Sequence, residues 1–464
     1  MKRRVAGIET EFGLTVVTSD GRRAHEVEQA ARDLFRPVVA WGRSSNVFLT
    51  NGARLYLDVG SHPEYATAEC DDTWDLVAQD RAGEREFEQL VAQANAAYQE
   101  KGVDARIHLL KNNSDSEGNS FGSHENFMIE RRGEFTRLPQ MLVPFLITRQ
   151  IVTGAGGVIH DEDGARFGFS LRSDHMWETV SSATTRARPI INTRDEPHGD
   201  PTKFRRLHVI VGDSTMSELS TWMRIEMTNA VLRLIEAGRP VGTIALKDPI
   251  AAIRVVARDL TGTAPLELAD GGTITALQIQ RRFLEAVTSA FDDLDERMLD
   301  LWDRALRAVE TQDFSLVSRE LDWAIKHDLF HAVAERRGLA LDDPQIQRLE
   351  FAYHDIDRTK GVFWALQRRG LAPQILSDER IEQARTQAPT TTRAHLRGRV
   401  LHAARDAGTD VAVDWTSVRL NAPGQRPISM LDPFQTESAE IDALIDDIRS
   451  RSEAADPASP GGNP

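Results

Sequence analysis

One cysteine, Cys70, stands in a chain of 464 residues. A single thiol cannot close an internal disulfide, nor can it supply the several thiolates of a structural zinc site. A reactive thiolate needs a cationic or histidine partner. His62 is close in sequence but nothing marks it as that partner, so Cys70 reads as a small buried side chain. No run approaches the roughly 20 apolar residues of a membrane helix, which excludes a membrane partner of that kind. The opening Met1-Lys2-Arg3-Arg4 is basic but leads straight into a strand-like acidic run. It lacks the apolar stretch of a secretory signal, so a cytoplasmic protein is expected. Internal repeats are absent, and so is any glycine-rich phosphate loop of the Walker or Rossmann type. Basic side chains are outnumbered, 56 Lys and Arg against 71 Asp and Glu, for a formal charge of −15. Phosphate backbones need a positive field, so nucleic acid is not expected as a partner.

What is present reads as mixed α and β. Short alternating runs at Val5–Leu14, Ala53–Val59, Ile107–Lys111, Glu125–Glu130 and Arg206–Val211 predict strands, and Asn51-Gly52 signals a hairpin turn before the second. Helical periodicity marks Asp75–Tyr98 and Ser217–Ala237, then Thr275–Val309, Phe314–Arg336 and Glu440–Ser450. Strands and helices do not alternate regularly, which points away from a doubly wound fold and toward an α+β antiparallel sheet with helices to one side. The Pro/Thr-rich stretch Gln387–Thr392 reads as a linker. The expected division is a catalytic domain over 1–390, a small C-terminal domain over 391–453 and a disordered Ala/Pro/Ser/Gly tail over 454–464.

Three segments carry chemistry. In Gly7-Ile8-Glu9-Thr10-Glu11-Phe12-Gly13, strand alternation sends Ile8, Thr10 and Phe12 one way and Glu9 and Glu11 the other. Adjacent carboxylates repel unless a cation lies between them, and hard oxygen donors favour Mg²⁺. The same pattern also describes a solvent-facing pair on an edge strand. In Arg54-Leu55-Tyr56-Leu57-Asp58-Val59, the apolar residues share one face and Arg54, Tyr56 and Asp58 the other. Glu64 and Glu69 follow after a Gly60 and Pro63 turn, so a phosphate binder, a candidate base and metal ligands converge. In Arg206-Leu207-His208-Val209-Ile210-Val211, His208 faces away from Leu207 and Val209. A carboxylate-rich sheet with arginines and no phosphate loop suits an ATP-using ligase in which metals hold the phosphates.

These segments, together with Ser181–Arg194, Ala352-Tyr353-His354-Asp355-Ile356 and Val413-Asp414-Trp415, resemble the Pup ligase family over nearly the whole chain. The resemblance implies a glutamine synthetase-like carboxylate–amine ligase: a curved antiparallel sheet with packed helices and a small C-terminal domain at its edge. It implies that Glu9, Tyr56 and Glu64 help bind Mg²⁺, that Arg54, Thr67 and Trp415 contact ATP, and that Asp58 is the catalytic base. His208 fits a metal- or phosphate-facing position. The implied partners are Pup, a small acidic disordered protein modifier, and lysine-bearing proteins that Pup marks for proteasomal degradation. A depupylase or deamidase on the same scaffold is the alternative. That relative carries a long extra loop between the first strand motif and the segment matching Arg54–Glu64, whereas the interval Leu14–Ala53 here shows none. An acidic Pup on an acidic enzyme requires a local basic patch. Arg186, Arg188, Arg194, Lys203, Arg205 and Arg206 are candidates, as are Arg393, Arg397 and Arg399.

Overall fold

The computed structural model describes residues 1–455 apart from 59, 116, 132–136, 163, 183–187 and 240. Val59, Arg186 and nearly all of the expected C-terminal tail therefore lie outside the described residues. In chain order the first twelve strands are β1 (Ala6–Glu11), β2 (Gly13–Val17), β3 (Asn46–Phe48), β4 (Arg54–Leu57), β5 (Pro63–Ala66), β6 (Arg106–Leu110), β7 (Ser123–Glu130), β8 (Gly157–Asp161), β9 (Gly164–Gly168), β10 (Glu178–Ser181), β11 (Pro189–Asn192) and β12 (Phe204–Val209). Eight of them form one sheet in the order β10-β11-β12-β7-β1-β5-β4-β3. Its pairs are antiparallel except at one edge, where β10 runs parallel to β11. The expected antiparallel sheet is thus a mixed one.

Alternation along these strands separates two chemistries. Ile8, Leu55, Tyr65, Phe127, Ile191, Leu207 and Val209 are buried on the back of the sheet. Against them lie helices that include Thr73–Glu100 and Glu218–Glu236. Thr73–Glu100 begins at Asp72, whose side chain accepts from the Asp75 amide. This long helix sits so close to β5 that a Cβ on Gly83 would enter the Tyr65 ring, which is why glycine occupies a helix interior there. Thr10 donates to Asp80 at 3.0 Å across the same interface. Lys111 bonds Asp80 and Glu84, the latter at 2.8 Å, so each buried charge has a partner.

Several expected elements differ in extent. Val5–Leu14 is two strands that part at Phe12, since β2 leaves the main sheet to pair with β6. The helix expected over Thr275–Val309 is broken into Ala276–Ala290 and Glu296–Thr311, and Asp295 caps the second by accepting from the Arg297 amide. Where Phe314–Arg336 was expected, the α-helix is Asp322–Arg337, after a 3-10 turn at Phe314–Leu316. None of the described helices is long and apolar enough to cross a membrane.

Residues 394–455 have their own apolar core. Helices Ala394–Asp406 and Ala439–Ala455 pack with a three-stranded sheet of Val411–Val413, Ser417–Leu420 and Ile428–Ser429 around Leu396, Val400, Val418 and Ile445. The final helix runs two residues into the segment expected to be a tail. Gln387–Thr392 is not a free linker. Thr392 Oγ1 donates to the Glu69 carbonyl at 2.7 Å, and Arg393 and Arg397 both grip the Glu69 carboxylate. These two arginines are 1% and 0% exposed, which removes them as candidates for an acidic protein's landing surface. Burial would raise the Glu69 carboxyl, but Arg397 and Arg393 outweigh it and hold the group at about 2.

A carboxyl depressed on folding adds stability above its unfolded pKa and loses it as pH falls through the folded one. Glu69 should therefore contribute about 3 kcal/mol near neutrality, lost between pH 4.5 and about 2. Glu69→Gln leaves two buried guanidiniums without a counter-charge, and a loss of about 3–5 kcal/mol is expected. Denaturant unfolding at pH 7 and at pH 3 would check both, with the gap between variant and wild type narrowing at the lower pH.

Candidate active site

The polar face of the sheet holds its functional side chains in rows set by strand register. Arg54 pairs across to Ala66, Ala66 to Glu9, and Glu9 to His124. One row on, Tyr56 pairs to Glu64 and Glu64 to Glu11. Asn126, His208 and Asn192 form a third. Residues distant in sequence are so brought onto one surface by pairing alone.

Two acidic groups result. In the first, Glu9 Oε2 lies 3.6 Å from both His124 Nδ1 and His208 Nε2, while Glu9 Oε1 accepts from Asn126 at 3.1 Å and faces Arg206 at 3.5 Å. In the second, ligand atoms of Glu11, Asp58 and Glu64 lie within 4.8 Å of one another. Tyr56 donates its hydroxyl to Glu64, and the Gly122 amide donates to Glu11 at 2.8 Å. Asp58 stands at the β4–β5 turn and is exposed, with its amide on the His62 carbonyl at 2.9 Å. Glu64 is 3% exposed.

Electrostatics distinguish the two groups. Burial would raise the Glu9 carboxyl, but the neighbouring His124, His208 and Arg206 hold it below its ordinary value. Burial, then the negative charges of Glu9 and Glu11, push the Glu64 carboxyl well up, and the Tyr56 phenol rises for the same kinds of reason. Burial pushes the His208 imidazole down to about 3, and both its ring nitrogens are buried without a hydrogen-bond partner. Crowded carboxylates and idle imidazole nitrogens fit divalent cations: the all-oxygen set Glu11, Asp58 and Glu64 suits Mg²⁺, and the mixed set Glu9, His124 and His208 accepts a broader range.

Beside Glu9 opens a pocket on the polar face of the sheet. Gly7, Ala66 and Thr67 supply small walls, Glu9 and Arg206 lie at one side, and His198, Arg393 and Trp415 line it too. Of the expected nucleotide contacts, Thr67 and Trp415 meet here. The Thr67 hydroxyl already accepts from the Ile8 amide at 3.0 Å, so it also fixes the pocket wall. Arg54 stands apart from the lining, donating to Asn46 at 2.7 Å with its guanidinium 4.8 Å over the Tyr56 ring. Among the expected basic-patch residues, Arg194 pairs with Glu196 at 2.7 Å, Lys203 with Asp200 at 3.3 Å, Arg205 with Asp195 at 3.6 Å and Arg399 with Asp442 at 2.7 Å. Sequence reasoning missed His124 and Asn126, although Ser123-His124-Glu125-Asn126 alternates in the manner of the strand it faces. It also missed His198 and the anchoring role of Glu69.

Paired acidic groups beside a pocket, on an open sheet face with arginine at its rim, are the layout of an enzyme that handles phosphoryl groups through divalent cations. A family profile described as Pup-ligase protein matches residues 4–419. The chain is 64% identical to a Pup–protein ligase of Brachybacterium faecium over 99% of both chains. It is 52% identical to that of Mycolicibacterium smegmatis over 96% of this chain and 99% of the relative. Two solved structures resemble it. One is a complex of the prokaryotic ubiquitin-like protein Pup with its ligase PafA, at TM-score 0.93 and 42% identity over 98% of this chain and 93% of that one. The other is the Pup ligase PafA with ADP, at TM-score 0.84 and 44% identity over 91% and 94%. The chain belongs to the Pup ligase family.

Because Glu64 is raised in the folded state, its charge weakens the metal-free protein at pH 7, and that penalty fades as pH falls. Glu64→Gln should raise the Tm of the protein in chelator. In excess Mg²⁺ the order should reverse, because the variant loses a ligand. Thermal unfolding in both conditions reads the result. An order unchanged by Mg²⁺ would show that no cation shares this group.

Proposed function

We propose that the protein is an ATP-dependent ligase that joins the side-chain carboxylate of Pup's C-terminal glutamate to a lysine amine of a target protein. Membership of the Pup ligase family supports the reaction, and the relatives solved with Pup and with ADP support both ligands. The observation that carries the reading is the convergence of Glu11, Asp58 and Glu64 within 4.8 Å beside the Glu9 group and its pocket.

A carboxylate is a poor electrophile and does not condense with an amine in water. Transfer of the terminal phosphoryl of ATP to the Pup carboxylate gives an acyl phosphate and ADP. Attack of the lysine nitrogen on the acyl carbon then expels phosphate and leaves an isopeptide bond. Glu9, Tyr56 and Glu64 would hold Mg²⁺, with Glu11, Asp58, His124 and His208 in reach, and the ion would supply positive charge against the phosphate oxygens. Arg54 and Arg206 flank the acidic rows and add fixed positive charge. Thr67 and Trp415 bind the nucleotide in the pocket. Lysine has an ordinary pKa of about 10.4 and arrives protonated. Asp58 would take that proton, and its exposure at the turn supports this, since a bulky protein can approach there. The buried carboxylates cannot meet a protein-borne lysine in this way. A cytoplasmic location goes with this reading, since Pup and its targets would meet the enzyme there.

Between β1 and β4 the chain is filled by β2, the helix Val27–Gly42 and β3, all described, which favours the ligase over the depupylase reading. Asp58→Asn should cut conjugate formation by about 10²–10⁴-fold while nucleotide binding persists. The check is a gel assay with ATP, Mg²⁺, Pup ending in glutamate and a lysine-bearing protein. Release of Pup from a preformed conjugate, with none formed, would assign the enzyme to the depupylase side instead.

A further inference from the structure

Asp58 stands on a turn with a strained backbone. Ser61 is left-handed, with φ at +62°, and Gly60 before it has φ at +86°. A serine rarely takes that conformation, and such residues persist where their surroundings hold them. The strand pairing beneath the turn ends at Leu57 and Pro63. Beyond it, two backbone bonds close the turn on itself. The Asp58 amide donates to the His62 carbonyl at 2.9 Å, and the Ser61 amide to the Asp58 carbonyl at 3.0 Å. These bonds set the shape of the turn but not its position over the acidic group.

A pair of rings supplies that position. His62 is half-buried and folds back over its own turn, so that a Cβ on Gly60 would meet its Nε2 at 3.4 Å. The imidazole packs on Phe121, with centroids 4.9 Å apart and planes tilted by 46°. Phe121 is buried, and its amide donates to the Asn113 carbonyl at 3.1 Å. The next residue, Gly122, is tied twice to Glu11. Its amide donates to the Glu11 carboxylate at 2.8 Å, and its carbonyl accepts from the Glu11 amide at 2.9 Å. A path of packed and bonded groups thus runs from the Asp58 turn through His62 and Phe121 to Glu11. It closes on itself across the acidic group, where ligand atoms of Glu11, Asp58 and Glu64 lie within 4.8 Å of one another.

We propose that His62 is a positioning residue for the lysine step: by packing on Phe121 it holds the Asp58 turn where the carboxylate can take the proton of the incoming lysine. The inference rests on the ligase reading above, with Asp58 as base, and adds to it the residue that places the base. The imidazole acts as a flat, half-buried ring and exchanges no proton. Phosphoryl transfer to Pup needs no base at Asp58, so the loss of the ring falls on the second half-reaction.

The test is His62→Ala and His62→Phe in the full-length enzyme, alone and with Asp58→Asn. Two products are followed with ATP, Mg²⁺ and Pup ending in glutamate: the conjugate with a lysine-bearing protein, and the hydroxamate of Pup formed with hydroxylamine. Hydroxylamine is unprotonated near neutral pH and attacks an acyl phosphate without a base, so it reports phosphoryl transfer alone. A misplacement of about 1 Å can cost on the order of 10²-fold, so His62→Ala should lower kcat for conjugation by about 10–10²-fold, with hydroxamate formation and KM for ATP within about twofold. His62→Phe keeps a ring against Phe121 and should restore most of the rate. In the Asp58→Asn background His62→Ala should cost nothing further, because a positioning residue acts only through the group it places. Conjugation within twofold of wild type in His62→Ala overturns the proposal, as do equal losses of both products, no recovery in His62→Phe, or additive losses in the double variant. Asp58→Asn that conjugates normally overturns the base and this role with it. Wild-type enzyme that forms neither product overturns the ligase reading itself.

Discussion

Antiparallel pairing of β1 with β5 and β7 forces Glu9, Glu11 and Glu64 onto one face, and the repulsion among them governs what surrounds them. The chain meets the demand unevenly. Glu9 is given His124, His208, Arg206 and Asn126, and stays ionised. Glu64 is given only a phenol and more negative charge, and is pushed toward its protonated form. One acidic group is thus preassembled, and the other waits for an outside cation. The apolar back of the sheet, locked to the helix Thr73–Glu100 through Thr10, Asp80 and Lys111, holds the strands in a register that the front face alone would disfavour.

The same logic links the sheet to the C-terminal residues. Glu69 follows β5 closely, so its two arginine partners tie the floor of the pocket to the helix that carries Arg397. From there one residue reaches the Trp415 ring and carbonyl. A buried ion pair of this kind adds little net stability over apolar packing but fixes geometry, because breaking it is costly. The pocket's shape therefore depends on contacts behind its walls as much as on the residues facing into it.

Much of this was legible in the sequence where local periodicity decides. The alternation of Glu9 with Ile8 and Thr10, and of Arg54 and Tyr56 with Leu55, was readable because a strand of period two needs no partner to sort its faces. His208 was legible only as the residue facing away from Leu207 and Val209, and His124 not at all, because a lone strand histidine gains meaning from the residue across the ladder, and register between distant strands is not written locally. Arg393 and Arg397 look like solvated helix charges in sequence. Their burial follows from Glu69, more than three hundred residues earlier. The break after Ala290 was signalled by Asp295, a helix cap lying within an otherwise continuous apolar period.

Cys70 is 1% exposed, and burial pushes its thiol well above the usual range. The protein thus brings almost no competing reactivity to thiol chemistry. A cysteine introduced at an exposed site, such as Trp41 on the helix Val27–Gly42 or Leu431 beside the C-terminal sheet, would be in effect the sole labelling point. Paired labels at those two places would follow the separation of the sheet and the C-terminal unit through a catalytic cycle without first removing a native residue.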